Sequence, residues 1–126
     1  MALAAELRTI VGDGYVHDAP SEIIAYSFDG TFQQRQPDLA VSPASTEEVA
    51  AIVKVAAREG RPIIARGASS GLAGGTIPEQ GGIILNLARM DRIVEIDTAN
   101  VCAVVEAGVV TLQIQAEVEK LGLFYP

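Results

Sequence analysis

The chain has 126 residues, enough for one hydrophobic core, and its 49% hydrophobic and 20% charged residues exclude a low-complexity or disordered polypeptide. Sixteen acidic against nine basic side chains give a net charge of −7, a field that repels polyanions and excludes general affinity for nucleic acid or an anionic membrane. Any phosphate bound by such a chain must be held by local groups.

The N-terminus, MALAAELRTIVGD, carries Glu6 and lacks both a basic stretch and a long apolar core, so it does not read as a secretory signal. No run reaches the roughly 18 apolar residues that a membrane span needs. Leu3, Leu7, Ile10 and Val11 predict an amphipathic helix stopped by Gly12. From Gly12 to Pro37 the periodicity fails and turn formers dominate, which predicts an arm with short helical turns (residues 1–36 with the first helix). Tyr15, Tyr26, Phe28 and Phe32 are expected to pack into the core, with anchoring of the arm to a partner region as the alternative. His17, the single histidine, has no cysteine or carboxylate cluster beside it, so a structural role and no zinc site are expected.

After Pro37 the pattern becomes regular. LAVSP reads as a strand, and Ser45 with Glu48 three residues on is a capping box for a helix whose first turn holds Glu47 and Glu48, where the helix dipole favours acids. Its expected buried stripe is Val49, Ile52, Val53, Ala56 and Ala57, and Gly60 ends it. RPIIARG follows as a second strand, so strand, helix and strand form a βαβ unit with parallel strands and a right-handed crossover.

IILNL predicts a further strand, and RIVEID and VCAVVEAGV an antiparallel pair turned at DTAN. Asp91, Glu95 and Asp97 read as solvated or turn-forming groups. Cys102 lies in the apolar VCAVV run, which predicts a buried structural thiol in a reducing, cytoplasmic setting. Thr111 opens a shorter helix carrying Leu112, Ala116, Val118 and Leu121 and closed by Gly122. The sequence then stops at LGLFYP, the start of another strand or turn, so a piece of a longer protein is expected.

The stretch ARGASSGLAGGTIP, residues 65–78, holds four glycines and no lysine. A P-loop requires Gly-Lys-Ser or Gly-Lys-Thr four residues after its first glycine, and a Rossmann turn requires G-x-G-x-x-G; neither spacing occurs from Gly67 or Gly71. Glycines and small residues still allow successive N–H groups to line an anion-binding nest, with Ser69 and Ser70 as hydroxyl donors and Arg66 as one local positive charge. On these residues alone a mobile or tightly turned loop with no ligand is also open.

PDLAVSPASTEEVAAIVKVAAREGRPIIARGASSGLAGGTIP, GGIILNLARMDRIVEID, VCAVVEAGV and LGLFYP, taken in order, resemble the FAD-binding domain of the vanillyl-alcohol oxidase or PCMH-type flavoproteins over residues 37–126. The branch they look most like is that of a glycolate oxidase subunit and of D-lactate dehydrogenase, and AYSFDGTFQQRQP resembles the stretch before the domain there. The resemblance implies an α+β, PCMH-type FAD-binding fold: a βαβ subdomain plus the start of an incomplete antiparallel subdomain.

It also implies that Arg66, Gly67, Ala68, Ser69, Ser70, Gly71 and Leu72 hold the FAD diphosphate through backbone N–H groups, with Gly74 and Gly75 completing the turn. Ser69-Ser70 stands where the family often has Gly-Thr or Asn-Thr, which keeps hydroxyl chemistry. Pro43 matches a proline lining the flavin pocket, and Pro126 the first proline of a YPPDP-like turn. The family's second glycine-rich segment and its substrate-side histidines and arginines have no counterpart here, so no catalytic residue is carried over. Noncovalent FAD is implied, bound poorly or not at all by this piece alone.

The activity implied for the whole protein is flavin-dependent oxidation of a small-molecule 2-hydroxy acid, glycolate or D-lactate, with other subunits of a redox complex as possible partners. The alternatives are a non-catalytic assembly subunit, or a PCMH-type oxidoreductase of another substrate, such as UDP-N-acetylenolpyruvoylglucosamine reductase or an aldehyde or sugar-lactone oxidase.

Overall fold

The computed structural model describes residues 2–126. Helix α1 (Leu3–Val11) ends at Gly12, whose φ of 92° lets its N–H turn back onto the Arg8 carbonyl. The arm contains turns of 3-10 helix at Asp13–Tyr15 and Ile24–Tyr26, a two-residue strand β1 (Val16–His17) and a single helical turn α2 (Pro20–Ile23). Strand β2 (Leu39–Val41), helix α3 (Thr46–Arg58), β3 (Ile63–Arg66) and β4 (Ile83–Asn86) follow. The hairpin β5 (Ile93–Asp97) and β6 (Cys102–Val105) leads into helix α4 (Thr111–Glu119).

The main sheet runs β1-β2-β4-β3. β4 pairs parallel with β2 on one side (Leu39 opposite Ile83) and with β3 on the other (Ile63 opposite Ile83). The two strands of the predicted βαβ unit are therefore parallel, but β4 lies between them. Its central place explains its burial: Ile83 and Ile84 are fully enclosed and Leu85 nearly so, as a strand covered on both faces requires. β1 was not foreseen; two residues are too few to show alternation, and it forms because Val16 and His17 pair antiparallel with Val41 and Ala40.

Helix α3 begins as predicted. The Ser45 hydroxyl accepts the Glu48 N–H at 3.2 Å, while the Glu48 carboxylate reaches past the cap to the Ala44 N–H at 2.7 Å. Its buried face is Ile52, Val55 and Ala56. Val53 and Ala57 are exposed, contrary to expectation, because each lies about 100° around the helix from a buried neighbour. Ile52 meets Leu7, Val11, Leu39, Val41 and Ile83 in one cluster, and each such side chain contributes about 1.5–3 kcal/mol by leaving water.

Three other expectations are corrected. In α4 the buried residues are Ile114 and Val118, while Leu112 and Leu121 are exposed. Cys102 is exposed, because β5 and β6 form a separate two-stranded sheet with, among the described residues, no further strand beside them. The arm's aromatic residues are not core: Tyr15 and Phe28 are roughly half exposed, Phe32 is fully exposed, and only Tyr26 is partly enclosed. His17 has the expected structural surroundings, with Nδ1 3.2 Å from Glu22 and its ring stacked 5.8 Å from that of Tyr26.

Candidate functional site

Parallel strands β3 and β4 end on the same edge of the sheet, where Arg66 and Asn86 lie opposite one another and the Leu87 N–H donates to the Arg66 carbonyl at 3.0 Å. The glycine loop leaves from this edge. In open sheets with parallel strands, ligands gather at the carboxyl ends of the strands.

A second wall faces the loop. The segment Ala107–Thr111, which joins β6 to α4 and includes the first residue of that helix, is pressed onto the turn after β4: Gly108 N–H donates to the Met90 carbonyl at 2.8 Å, and a Cβ on Gly108 would fall 1.8 Å from the Leu87 carbonyl oxygen. Only glycine permits that approach. Between the walls lies a cleft of about 350 Å³, lined by Gly67, Ala68 and Ser70 on one side and by Ala107, Gly108, Val109, Val110 and Thr111 on the other.

The cleft is rich in unused N–H groups. Among the described residues, no amide from Gly67 to Ala73 donates to another main-chain group. Helix α4 opens at Thr111 behind Val110, which supplies no side-chain cap, so the first amides of α4 add the positive end of a helix dipole to the same cleft. Ser69 adopts φ 53°, and its hydroxyl is buried without a partner. The left-handed turn at a residue other than glycine is a local strain of the kind found where a loop is shaped for contact.

Arg66 stands at the root of the loop with its guanidinium carbon 5.2 Å from the centre of the Tyr26 ring. One of its terminal nitrogens is buried without a partner. Burial pushes its pKa down, opposed by the nearby Tyr26 phenol and Asp29 carboxylate, and an arginine still remains a cation at neutral pH. A dense set of backbone donors, one cation and almost no side-chain bulk fits a diphosphate.

The structure divides the remaining predicted residues. Gly71 presents its carbonyl to the Gly30 N–H at 3.1 Å, and Leu72 is largely exposed. Gly74, at φ 75°, accepts from the Ile77 N–H. Together with Gly75 it borders a separate depression running towards Pro62 and Ile64. Pro43 is fully enclosed, so its ring presents no free surface at which to line a pocket. Pro126 is exposed beyond α4 and does not border the cleft.

Ala107–Thr111 was missed in the sequence; a glycine between a strand and a helix in EAGVVT was the available signal. Another depression, lined by Phe32, Gln33, Gln34, Arg35 and Glu79, holds none of the loop amides. Among the described residues no helix is long and apolar enough to cross a membrane, and no three His, Cys, Asp or Glu are grouped to hold a metal.

Comparison with known proteins places these features in a family. The model of the FAD binding domain family matches residues 37–126. The glycolate oxidase subunit GlcD of Bacillus subtilis is 38% identical over 122 residues, covering 96% of this chain and 26% of that protein. The D-lactate dehydrogenase of Anaerostipes hadrus is 33% identical over 122 residues, covering 97% and 25%. Among solved structures, p-cresol methylhydroxylase superposes with a TM-score of 0.75 at 23% identity, over 96% of this chain and 24% of that one. That likeness shows the fold, the α+β arrangement of PCMH-type FAD-binding proteins. The chain spans about a quarter of the length of these curated relatives.

Proposed function

Because the chain belongs to the FAD binding domain family, we propose that it holds the diphosphate of FAD in a flavin-dependent oxidoreductase acting on a 2-hydroxy acid of the glycolate or D-lactate type. The observation that carries this reading is the run of amides from Gly67 to Ala73 without main-chain partners, of which Gly67, Ala68 and Ser70 line the cleft opposite the uncapped start of α4. The relatives named glycolate oxidase subunit and D-lactate dehydrogenase support the substrate class.

In this reading the amides of Gly67, Ala68, Ser69, Ser70, Gly71 and Leu72 donate to the diphosphate, and Arg66 balances part of its charge. Gly74 and Gly75 turn the chain back towards β4. Pro43 acts by shaping the end of β2 rather than by contact, and Pro126 leads the chain away from α4. Charge-assisted hydrogen bonds contribute about 1.5–3 kcal/mol each, while the net charge of −7 acts through solvent that screens beyond about 8 Å. Several short bonds therefore outweigh the repulsion. FAD, when bound, supplies the two-electron redox chemistry; the residues of this chain bind it, orient it and exclude water.

Val94, Val101 and Val104 on the hairpin, and Val110 and Leu112 at the start of α4, are exposed apolar side chains. A lone two-stranded sheet is marginal in water, which supports burial of these side chains by further polypeptide of the same protein or by another subunit. The subunit naming of one relative agrees.

The test uses the full polypeptide as its gene encodes it. We expect visible flavin absorbance on purification, saturable binding of added FAD, and anaerobic bleaching of the flavin by glycolate or D-lactate. Protein that purifies colourless and shows no FAD binding in equilibrium dialysis refutes the cofactor reading. Flavin that no 2-hydroxy acid bleaches refutes the substrate class alone.

A further inference from the structure

We propose that the arm segment Tyr26–Gln33, which lies outside the family-matched residues 37–126, sets the shape of the glycine loop, with Tyr26 and Gly30 as positioning residues for its amides. The proposal rests on reading that loop as the diphosphate cradle.

The loop does little to hold itself. Among the described residues, the main chain from Gly67 to Ala73 takes part in a single backbone hydrogen bond, and its donor is Gly30 on the arm. Free amides make the loop suited to a ligand and leave its conformation undetermined from within. Something outside has to determine it.

The arm meets the loop at its start, middle and end. At the start, the Tyr26 ring lies under the Arg66 guanidinium, and the Tyr26 hydroxyl accepts from the Asn86 side chain at 3.4 Å, tying the aromatic ring to the end of β4. In the middle, Gly30 approaches so closely that a Cβ would fall 2.8 Å from the carbonyl oxygens of both Ser70 and Gly71 and 3.0 Å from the Leu72 side chain. At the end, the Gln33 side chain lies 3.5 Å from where a Gly74 Cβ would be.

The arm is itself stiff enough for this task. Ser27 is fully buried, its hydroxyl donates to the Ile24 carbonyl at 2.8 Å, and its own carbonyl accepts the Arg35 N–H at 2.9 Å. Phe28 bridges to Gln34 across the turn, and the Asp29 carboxylate accepts the Thr31 N–H at 2.7 Å. The turn so closed presents Gly30 to the loop at its tip. A merely space-filling arm would not need a glycine at the single point where backbone meets backbone.

The experiment compares wild type with Gly30→Ala and Tyr26→Leu in the full polypeptide. Three quantities are read: FAD affinity by quenching of flavin fluorescence, the rate of tryptic cleavage after Arg66 in ligand-free protein, and the urea midpoint. We expect each variant to bind FAD at least roughly tenfold more weakly, and to be cleaved several-fold faster after Arg66, while retaining a cooperative urea transition. Riboflavin, which lacks the diphosphate, serves as the reference ligand, and its binding should change far less.

If Gly30→Ala does not fold, Tyr26→Leu decides the matter, because it removes the support under Arg66 without forcing backbone apart. A folded variant with wild-type FAD affinity overturns the proposal. Wild type that binds no FAD refutes the cofactor reading instead, and the cleavage rates then decide by themselves whether the arm holds the loop.

Discussion

Gly108→Ala is the most demanding test of how the cleft is built. The added Cβ would lie 1.8 Å from the Leu87 carbonyl oxygen, 2.7 Å from its carbon and 2.8 Å from the Met90 carbonyl oxygen. None of these can swing aside as a flexible side chain would. The Leu87 N–H is bonded to Arg66 at the end of β3, and the Met90 N–H is bonded to Leu87. The connector must therefore back away by roughly 1 Å, which forced overpacking of this kind penalises by about 1–3 kcal/mol. The Gly108 to Met90 hydrogen bond goes with it, a further loss of about 0.5–1.5 kcal/mol. Together these predict a destabilisation of roughly 2–4 kcal/mol, or about 8–15 °C in Tm for a domain of this size.

The assay is urea unfolding followed by circular dichroism, with the midpoint falling and the slope unchanged. Because Val109–Thr111 move with Gly108, FAD affinity should fall in whatever protein remains folded. Gly14→Ala is the reference, since nothing lies within 4 Å of the place its added methyl would take and its φ is ordinary. A Gly108→Ala protein within about 0.5 kcal/mol of wild type would refute the claim that backbone contact fixes the second wall.

Gly67→Ala should behave oppositely to Gly108→Ala: its Cβ meets nothing within 4 Å, so ligand-free stability should hold or rise slightly, while a methyl at the cleft lining weakens FAD binding several-fold in a fluorescence titration. Cys102, being exposed, should react with a thiol reagent in the native protein at a rate close to that in urea; protection in the native state would contradict the open hairpin. Acid should destabilise the chain through four carboxylates held below their ordinary pKa: Glu6 by the Arg58 guanidinium, Asp29 by the Thr31 hydroxyl, Asp97 by the Asn100 side chain and Glu106 by the Arg92 guanidinium. Depressed pKa values mean that this stability is fully present above the unfolded-state values near 4 and is lost as pH falls through the folded ones. The urea midpoint should thus be flat above about pH 5 and decline below about pH 4; a midpoint that rises on acidification would reverse the sign of the argument.

Much of the fold is written in short-range pattern. The caps of α3, the glycine stops after α1 and α4, the βαβ order and the DTAN hairpin all rest on residues within a few positions of one another, where capping bonds and allowed φ values act directly. The Asp97 carboxylate accepting from Asn100 at the hairpin turn is one such local device. The glycine loop was legible in the same way, as a stretch with donors and no bulk, and resemblance to a family supplied its ligand.

What the linear pattern left undecided is which surface each element meets. VCAVV carries the composition of a buried strand, and only the absence, among the described residues, of a neighbour beyond β6 leaves Cys102 in the open. Val53 and Val55 are equally apolar, and the position of α1 and the sheet selects Val55 for burial. Gly30 read as an ordinary turn glycine and Gly108 as part of a strand, yet each stands where one stretch of backbone lies against another distant in sequence. Local chemistry determined the elements, because propensities and caps operate over one or two turns. The tertiary structure decided the site, because a cleft with two walls exists only where separate segments are brought together.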